Sequence, residues 1–311
     1  SADHFVQSFP MKFDPWKRFA ALSPPVQAAA WMVLSTLMFS GAAAAVRQLS
    51  ADIDFIEVSF FRSLFGLMIM LPWLIRVGLG ALRTRHQWNY VARGLSSTAA
   101  MFLWFGGLSL VPIAEATAIS FTTPFIITIA AFLFLHEPMK LPRWIGLSVG
   151  FVGTLIIVRP GFAEVNLGML MVLAAGVFIA ASAMNIKVAA RDDSPDTVAI
   201  YQVLYMLPLT LLPALFVWRW PTLEGWGLAI AVGVFSTYGQ RTYTRALALV
   251  DASSVTPLDF LRLPFAVFLG FALFGELPDV WTITGGIVIF AASAYVGRAE
   301  AVARRAKVPA A

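Results

Sequence analysis

The chain contains no cysteine, which excludes disulfide bridges and thiolate metal sites. Histidines are also few, and His4, His86 and His136 are too far apart in the sequence to predict a metal cluster. A Walker A pattern is absent as well, so ATP is not expected to drive the protein directly. From these absences we expect the protein to bind neither a metal ion nor a cofactor.

Charge is scarce: charged residues make up 13% of the chain, against about 25% in soluble domains. Hydrophobic residues make up 59% and the mean hydropathy is +0.79. The charge-poor runs have the length of a helix that crosses a bilayer, about 20 residues. We therefore expect an integral membrane protein in contact with lipids. The pI of 9.7 does not predict a nucleic-acid partner, because Lys and Arg gather in the loops of membrane proteins.

The hydrophobic pattern predicts an all-α fold of ten transmembrane helices. The spans are about 25–47, 54–75, 88–109, 113–135, 142–158, 167–188, 195–217, 225–246, 253–274 and 279–297. Residues 1–24 lack the apolar core of a signal peptide and are predicted to be a cytoplasmic N-terminal segment, in which part of the first ten residues, before Met11, is a candidate cloning remnant. With the N-terminus cytoplasmic, the inner loops and tails hold 15 Lys and Arg and the outer loops hold 3, which predicts that both termini face the cytoplasm.

The second half of the chain repeats the first at a fixed distance along the sequence. Residues 247–298 follow the pattern of 108–159 without a gap, and we call the step from Leu108 to Leu247 the repeat offset. The predicted domains are a first five-helix repeat at 25–160 and a second at 161–298, followed by a basic cytoplasmic tail at 299–311. Because five is an odd number of spans, the second repeat must have inverted topology, which is the architecture of many secondary transporters.

Two stretches carry the motifs of a known family. Residues 272–277 read Ala-Leu-Phe-Gly-Glu-Leu before Gly285-Gly286, and the first repeat has Pro124 to Glu137 followed by Gly146, Gly150, Gly153 and Val158-Arg159-Pro160-Gly161. The whole chain resembles the EamA-type transporters of the drug/metabolite transporter superfamily and, within it, the YddG-type bacterial exporters of aromatic amino acids. The resemblance implies that Glu137 and Glu276 are the family's glutamates at the turn between the fourth and fifth helices of each repeat. His136 departs from the pattern, because a glycine commonly precedes that glutamate.

The ninth span carries the first candidates for a substrate cavity. Asp259 and Arg262 are three residues apart and therefore share one helix face. A charge near the bilayer centre costs at least about 2.5 to 3.5 kcal/mol, so such residues normally face a cavity or each other. In a cavity, Arg262 would pair with a substrate carboxylate and Asp259 with an ammonium group. The alternative is a structural ion pair between the two side chains.

Polar and aromatic residues in three other spans are further candidates for the cavity wall. They are Ser97 and Trp104 in the third span, Tyr201 and Gln202 in the seventh, and Tyr238 and Gln240 in the eighth. The plainer interpretation of the aromatic residues is packing or lipid contact.

Moving parts are also predicted. Pro124 and Pro264 lie inside the fourth and ninth spans and are candidate hinges, because proline removes a helix hydrogen bond; static packing is the alternative. Arg62 is predicted to form an outer gate with Glu57 or Glu115, the alternative being an arginine that snorkels to the headgroups.

The sequence as a whole predicts a secondary transporter and not an enzyme. We expect it to export small organic solutes, with aromatic or large neutral amino acids favoured, across the bacterial inner membrane by alternating access. The alternatives are an efflux carrier for lipophilic cations and, more remotely, a membrane-embedded transferase. Proton coupling and facilitated exchange both stay open. Gly146 and Gly150 allow close helix approach either within a monomer or across a dimer, so the oligomeric state is open too.

Overall fold

The structure is a computed structural model that describes residues 22–78, 84–85, 87–135, 141–159, 166–189, 195–249, 258–259 and 261–305. In these ranges the chain forms eleven helices with defined bounds, residues 258–259 are also helical, and there is no strand. The helices are α1 (Pro24–Leu49), α2 (Phe55–Val77), α3 (Gln87–Leu110), α4 (Ile113–Ser120), α5 (Thr123–Leu135), α6 (Leu141–Val158), α7 (Leu167–Ala189), α8 (Pro195–Val217), α9 (Leu223–Leu249), α10 (Arg262–Phe274) and α11 (Val280–Arg305). The prediction of an all-α fold is confirmed for this part of the chain.

In the described part of the chain, five helical stretches are long and apolar enough to cross a membrane. They are Pro24–Leu49, Phe55–Pro72, Ile113–Phe134, Leu167–Asn185 and Ile200–Val217. Their outward-facing side chains include large hydrophobic residues such as Met68, Phe134 and Phe216, of which the last is 90% exposed. Apolar side chains at such positions fit contact with lipid acyl chains and not with water.

Capping residues fix the short connections between helices. The Asp54 carboxylate accepts a hydrogen bond from the backbone N–H of Ile56 at 2.8 Å and so starts α2. At the far end of α10, Gly275 adopts the left-handed conformation with φ +67°, which a residue with a side chain rarely tolerates. This turn leads the chain directly towards α11.

The fourth predicted span, 113–135, is not one continuous helix. It divides into α4 and α5 at Phe121 and Thr122, whose backbone N–H groups bond to carbonyls three residues back, at 3.2 and 3.0 Å. Pro124 is the second residue of α5 and has no backbone N–H to give to α4. The hydrogen bond that residue 124 would donate to the carbonyl of Ser120 in a continuous helix is therefore missing, and the helix ends and restarts.

The ninth predicted span, 253–274, has a related interruption. Leu261 lies in a turn and donates to the carbonyl of Leu258 at 3.1 Å, and the helix α10 begins at Arg262. Pro264 is the third residue of α10. Both candidate hinge prolines therefore lie in the first turn of a half-helix, where a missing N–H donor is tolerated, and not at a kink in mid-helix. Residues 253–257 and 260 lie outside the described ranges.

The last helix is longer than predicted. We expected the tenth span to end at 297, whereas α11 continues to Arg305. Residues 298–305 are alanine, valine, arginine and glutamate, with neither proline nor glycine to stop the helix. The first part of the predicted tail is therefore helical.

The helix contacts follow the sequence repeat. The most extensive pairs are α1 with α9, α3 with α7, and α6 with α11. The repeat offset converts α1 into α7 and α3 into α9, so the first two pairs are equivalent, while α6 and α11 are equivalents that pack on each other. The contact of α6 with α11 is close because Gly153 faces Gly285: a Cβ on Gly285 would lie 2.6 Å from the Gly153 carbonyl oxygen.

The two other glycines of α6 are also used inside the monomer. A Cβ on Gly146 would lie 2.1 Å from a methyl carbon of Val296, and one on Gly150 would lie 2.3 Å from the ring of Phe125. Packing within one chain accounts for both glycines, which were the sequence argument for a dimer.

One end of the helix bundle is held together by its loops and by the main hydrophobic core; we call it the α1–α2 end. Asp52 accepts hydrogen bonds from the backbone N–H and the hydroxyl of Thr222, and Gln48 donates to Glu224 at 3.3 Å, which joins the α1–α2 and α8–α9 loops. The core beneath includes fully or nearly fully buried side chains from several helices, among them Val46, Leu49, Phe61, Leu108 and Ile113. The α1–α2 end is therefore closed.

Candidate substrate cavity and its closed end

A cavity of about 520 Å³ lies among the helices below the α1–α2 end. It is lined by side chains from α1 to α5 and α7 to α10 together with Asp259. The wall combines rings such as Phe39, Trp104 and Tyr243 with hydroxyl, amide and charged groups. A mostly apolar pocket of about 300 to 1,000 Å³ with a few polar groups is typical of small-molecule sites.

The cavity extends away from the closed end. Gln240 lines it and is exposed, whereas α9 starts at Leu223 in the α1–α2 end. From the rise per residue of an α-helix, Gln240 is about 25 Å along α9 from that end. The solvent-accessible side of the cavity is therefore opposite to the α1–α2 end.

A hydrogen-bonded network joins three helices on one side of the cavity. Arg93 on α3 donates from Nη2 to the Gln202 Oε1 atom on α8 at 2.6 Å. The Gln202 amide Nε2 lies 3.4 Å from Ser97 Oγ, which in turn lies 2.8 Å from Ser182 Oγ on α7. All four residues line the cavity, so the network offers a substrate a row of donors and acceptors.

A second polar group is formed by Asp259 and Arg262. The Arg262 Nη2 atom lies 2.7 Å from Asp259 Oδ1, and the guanidinium carbon lies 4.8 Å from the centre of the Phe39 ring. Ser40 on α1 donates to the backbone carbonyl of Arg262 at 3.2 Å. The two side chains therefore form an ion pair with each other and also line the cavity.

Arg62 reaches the cavity from α2. Its Nη1 atom lies 3.3 Å from the sulfur of Met101 on α3, and both residues line the cavity. In the described part of the chain, Arg62 pairs with neither Glu57 nor Glu115, so the predicted gate pair is not formed here. Glu57 does not pair with Arg62 because the two side chains leave α2 in different directions. Five residues along a helix correspond to a rotation of about 140° around its axis.

The two acids meet other partners near the α1–α2 end. Glu57 is fully buried, and its Oε2 atom accepts a hydrogen bond from the backbone N–H of Arg219 at 3.1 Å. Glu115 interacts electrostatically with Asp279, Arg159 and Glu276. Neither acid lines the cavity.

The α1–α2 end is instead fastened by Arg47 and Glu276, which we call the Arg47–Glu276 tie. The Arg47 Nη2 atom forms an ion pair with Glu276 Oε1, and Nη1 donates to the backbone carbonyls of Leu108 and Val111. Glu276 Oε2 also accepts a hydrogen bond from the backbone N–H of Ile113 at 3.2 Å. The tie therefore joins the end of α1, the turn between α3 and α4, and the turn between α10 and α11. Glu137, its counterpart by the repeat, lies outside the described residues.

A second ion pair lies beside the tie. The Arg159 Nη2 atom is 2.7 Å from Asp279 Oδ2, and the Arg159 guanidinium lies over the Trp281 ring at 5.9 Å. Burial alone would raise the pKa of the Asp279 carboxyl, but hydrogen bonds from the Thr282 side chain and backbone and the charge of Arg159 together lower it below its ordinary value. Asp279 is therefore ionised at neutral pH.

Most candidates from the sequence lie at the cavity. Those in its wall are Arg62, Ser97, Trp104, Pro124, Gln202, Gln240, Asp259 and Arg262. Tyr201 lies outside the wall because it is buried in a stack on Tyr90, with ring centres 4.3 Å apart. Tyr238 is 48% exposed on another face of α9, and Pro264 is exposed as well.

Positions related by the sequence repeat recur in the cavity wall, even where their residue types differ. Seven pairs of wall residues are separated by the repeat offset. They are Ser40 and Ile179, Ala43 and Ser182, Ser97 and Ser236, Met101 and Gln240, Trp104 and Tyr243, Ser120 and Asp259, and Thr123 and Arg262. The cavity thus lies where equivalent positions of the two repeats face each other.

The described residues contain no group of three or more His, Cys, Asp and Glu side chains that could hold a metal ion. The polar groups of the cavity are arginine, amide and hydroxyl groups with one carboxylate. This set suits the hydrogen bonding of an organic solute better than the ligation of a cation.

The profile of the EamA-like transporter family matches residues 26–159 and, a second time, residues 166–298. The chain belongs to the EamA-like transporter family. A "Riboflavin transporter" of Rhizobium johnstonii is 31% identical over 93% of this chain and 96% of its own length. An "S-adenosylmethionine uptake transporter" of Rickettsia bellii is 29% identical over 89% and 96%. A solved crystal structure shares the fold with a TM-score of 0.63, at 19% identity, over 91% of this chain and 99% of that one.

Family membership confirms the broader part of the sequence prediction. As an EamA-like protein, the chain is a transporter of small solutes and not an enzyme, and it is a multi-pass protein of the bacterial inner membrane. The named relatives carry riboflavin or S-adenosylmethionine. They give no support to the narrower likeness to exporters of aromatic amino acids.

Proposed function

We propose that this EamA-like protein is an alternating-access carrier for a small heteroaromatic solute, with riboflavin as the first compound to test. The observation that carries this proposal is the cavity wall, which combines aromatic rings with a network of hydrogen-bonding side chains. A flat ring system can stack on Trp104 or Phe39 while its carbonyl, imide and hydroxyl groups bond to Gln202, Ser97 and Ser182. The name of the Rhizobium relative supports the same class of substrate.

The proposed topology has ten spans in two inverted repeats, 25–160 and 161–298, with both termini in the cytoplasm. It counts α4 and α5 as one interrupted span and α10 as the second part of another. The excess of 15 Lys and Arg over 3 on the cytoplasmic side supports this orientation. The seven repeat-related pairs in the cavity wall also support it, because inverted repeats build their site where the two halves meet.

In this topology, the α1–α2 end faces the periplasm and the cavity opens towards the cytoplasm. The conformation described above is then the inward-facing one, with the Arg47–Glu276 tie as the periplasmic closure. The broken helices α4–α5 and α10 lie beside the cavity, as the discontinuous helices of other secondary transporters do. We propose their breaks, next to Pro124 and Pro264, as the places where the chain flexes.

The charge of the cavity argues against lipophilic cations. Among the described wall residues, Arg62, Arg93 and Arg262 carry positive charge and Asp259 carries negative charge, a net charge of +2. A cation would meet repulsion at short range in a medium of low polarity. The same charges keep aromatic amino acids as a second candidate class, since the arginines offer partners for a carboxylate and Asp259 offers one for an ammonium group.

Counterflow in proteoliposomes tests the proposal. Vesicles are loaded with unlabelled riboflavin, and uptake of labelled riboflavin is followed with no pH gradient, so that exchange alone drives the signal. We expect exchange in the parent protein and a loss of at least about tenfold in Trp104→Ala, because a stacked aromatic contact is removed. Trp88→Ala is the matched control, since Trp88 is on the same helix but 84% exposed and outside the cavity.

Each result has a defined meaning. Exchange of tryptophan or phenylalanine in place of riboflavin would establish the amino-acid class, and exchange of tetraphenylphosphonium would establish cation efflux. Imposing gradients of the identified solute in each direction, with and without a pH gradient, then separates export from uptake and proton coupling from facilitated exchange.

A further inference from the structure

Arg62 has an unusual environment for a charged residue inside a membrane protein. It lies two turns into α2, about 10 Å along the helix from the α1–α2 end. In the described part of the chain, the Met101 sulfur at 3.3 Å is its hydrogen-bond partner. A thioether is a weak acceptor, whereas a guanidinium has five N–H donors. Most of the hydrogen-bonding capacity of Arg62 is therefore directed at the cavity and not at the protein.

The other cavity arginines have stronger protein acceptors. Arg262 is neutralised by Asp259, and Arg93 donates to Gln202. A charge at this depth costs at least about 2.5 to 3.5 kcal/mol and is normally paired. Arg62 thus carries the least compensated positive charge in the described cavity wall.

The fold itself does not require an arginine at this position. The repeat offset relates Arg62 to Tyr201, which fills the equivalent place in the second repeat by stacking on Tyr90 with no charge. An arginine at position 62 therefore has a role that packing does not explain. The nearest acid on its own helix, Glu57, is turned away and accepts from Arg219.

From these observations we propose that Arg62 binds the negative edge of the transported solute. The ligand group is planar and has two adjacent acceptor atoms that carry full or partial negative charge, because this geometry matches the guanidinium fork. A carboxylate is one source of such a group, and the N1 and C2-carbonyl edge of an isoalloxazine is another. This inference rests on the proposed function, since it requires a solute that enters the cavity.

The location of Arg62 gives the contact a place in the transport cycle. The helix α3 reaches the α1–α2 end at Leu110, and Arg93 lies in the opposite half of that helix. Arg93 is therefore about 25 Å from the α1–α2 end, whereas Arg62 is about 10 Å from it. A solute that enters from the open side passes Arg93 before it reaches Arg62 at the closed end of the cavity. Arg62 holds the negative edge of the solute next to the closure that must open for the solute to pass to or from the periplasm.

Equilibrium binding to the full-length protein in detergent tests this inference separately from transport. The probes are indole-3-propionate, which carries a carboxylate, tryptamine, which has the same ring with an ammonium group, and riboflavin. Three variants are compared with the parent protein: Arg62→Gln, Arg62→Lys and Arg241→Gln. Arg241 is an exposed arginine on α9 outside the cavity wall and serves as the matched control.

We expect the parent and Arg241→Gln to bind indole-3-propionate at least tenfold more tightly than tryptamine, and Arg62→Gln to lose this preference. Arg62→Lys keeps the charge without the fork, so it should keep part of the preference. A loss of riboflavin affinity in Arg62→Gln would identify the isoalloxazine edge as a ligand in its own right, and unchanged riboflavin affinity would restrict the site to carboxylates.

The inference is overturned if Arg62→Gln binds the carboxylate probe as the parent does, or if the parent does not distinguish the two indole probes. The proposed function fails on a different measurement, the absence of riboflavin counterflow. A melting temperature for each variant shows that a loss of binding is not a loss of fold.

Discussion

The Arg47–Glu276 tie gives the sharpest prediction about the transport cycle. If it is the periplasmic closure, weakening it should move the protein from the inward-facing state towards the outward-open one. Glu276→Gln removes the negative charge with almost no change in shape. It leaves Arg47 with its two backbone carbonyl partners, so α1 should remain folded.

The size of the effect follows from the burial of the pair. The side chains of Arg47 and Glu276 are 21% and 18% exposed, so the ion pair is partly shielded from water. A hydrogen bond to a charged group contributes about 1.5 to 3 kcal/mol. Since about 1.4 kcal/mol corresponds to a factor of ten in an equilibrium constant, the ratio of closed to open protein should fall by about 10- to 100-fold.

Labelling of a single cysteine measures this ratio, and the chain has no native thiol to interfere. Thr117 is a suitable reporter: it is 1% exposed, lines the cavity and lies one turn after the start of α4. Thr117→Cys should react slowly with a membrane-impermeant maleimide added from the periplasmic side. Adding Glu276→Gln should accelerate the reaction by about 10- to 100-fold, in proportion to the open population.

Asp279→Asn is the matched control for this experiment. It also removes a carboxylate at the α1–α2 end, but the Asp279 side chain is 41% exposed and its ion pair contributes less. Equal labelling of the Thr117→Cys reporter with and without Glu276→Gln would refute the assignment of the tie as a gate. Fast labelling from the periplasmic side in the unmodified background would refute the inward-facing assignment itself.

Three further predictions concern stability. Gly285→Ala places a Cβ 2.6 Å from the Gly153 carbonyl oxygen and should lower stability by about 1 to 3 kcal/mol in thermal unfolding, whereas Gly227→Ala, with nothing within 4 Å, should not. Asp259→Asn leaves Arg262 without its counter-charge and should lower the melting temperature more than the double variant with Arg262→Gln, in which no charge is left unpaired. Folding lowers the pKa of Asp279, so the ionised carboxylate stabilises the folded state above the ordinary aspartate pKa, and this stabilisation is lost as the pH falls through the lower folded value. The difference in unfolding free energy between the parent and Asp279→Asn should therefore be constant from about pH 5 to about pH 8.

The helices and the repeat are predictable from the sequence because their signals are local or periodic. Hydrophobic runs locate the described helices to within a few residues, apart from the far end of α11, and Pro124 marks the point at which the fourth span breaks. That the helix stops and restarts there was not predicted. The outcome depends on whether neighbouring groups satisfy the freed backbone, and at Phe121 and Thr122 tight turn bonds do so.

The cavity wall is harder to predict because it depends on helix rotation. Tyr201 and Gln202 are adjacent in the sequence, yet Gln202 lines the cavity and Tyr201 is buried in a stack. Arg93 was visible as a charge within a span, but its partner Gln202 lies on a helix of the other repeat. Arg47 was not singled out from the sequence because it stands at a helix end, where a basic residue interacts favourably with the helix dipole and needs no other partner. Its partner Glu276 is far along the chain, near the end of the second repeat.

The repeat offset helps to predict residues of the cavity wall without knowledge of helix rotation. If one wall residue is known, the repeat offset proposes a second, and this works for seven pairs. Only Ser97 and Ser236 are identical in type, whereas Ser120 corresponds to Asp259 and Thr123 to Arg262 across the repeat. In an inverted-repeat carrier the two halves exchange conformations during the transport cycle, so equivalent positions of both halves line the cavity. The difference in charge between paired positions fits the proposal that the solute has one negative edge, because only one side of such a wall can bind that edge. The two repeats therefore keep the same wall positions and differ in the side chains that fill them.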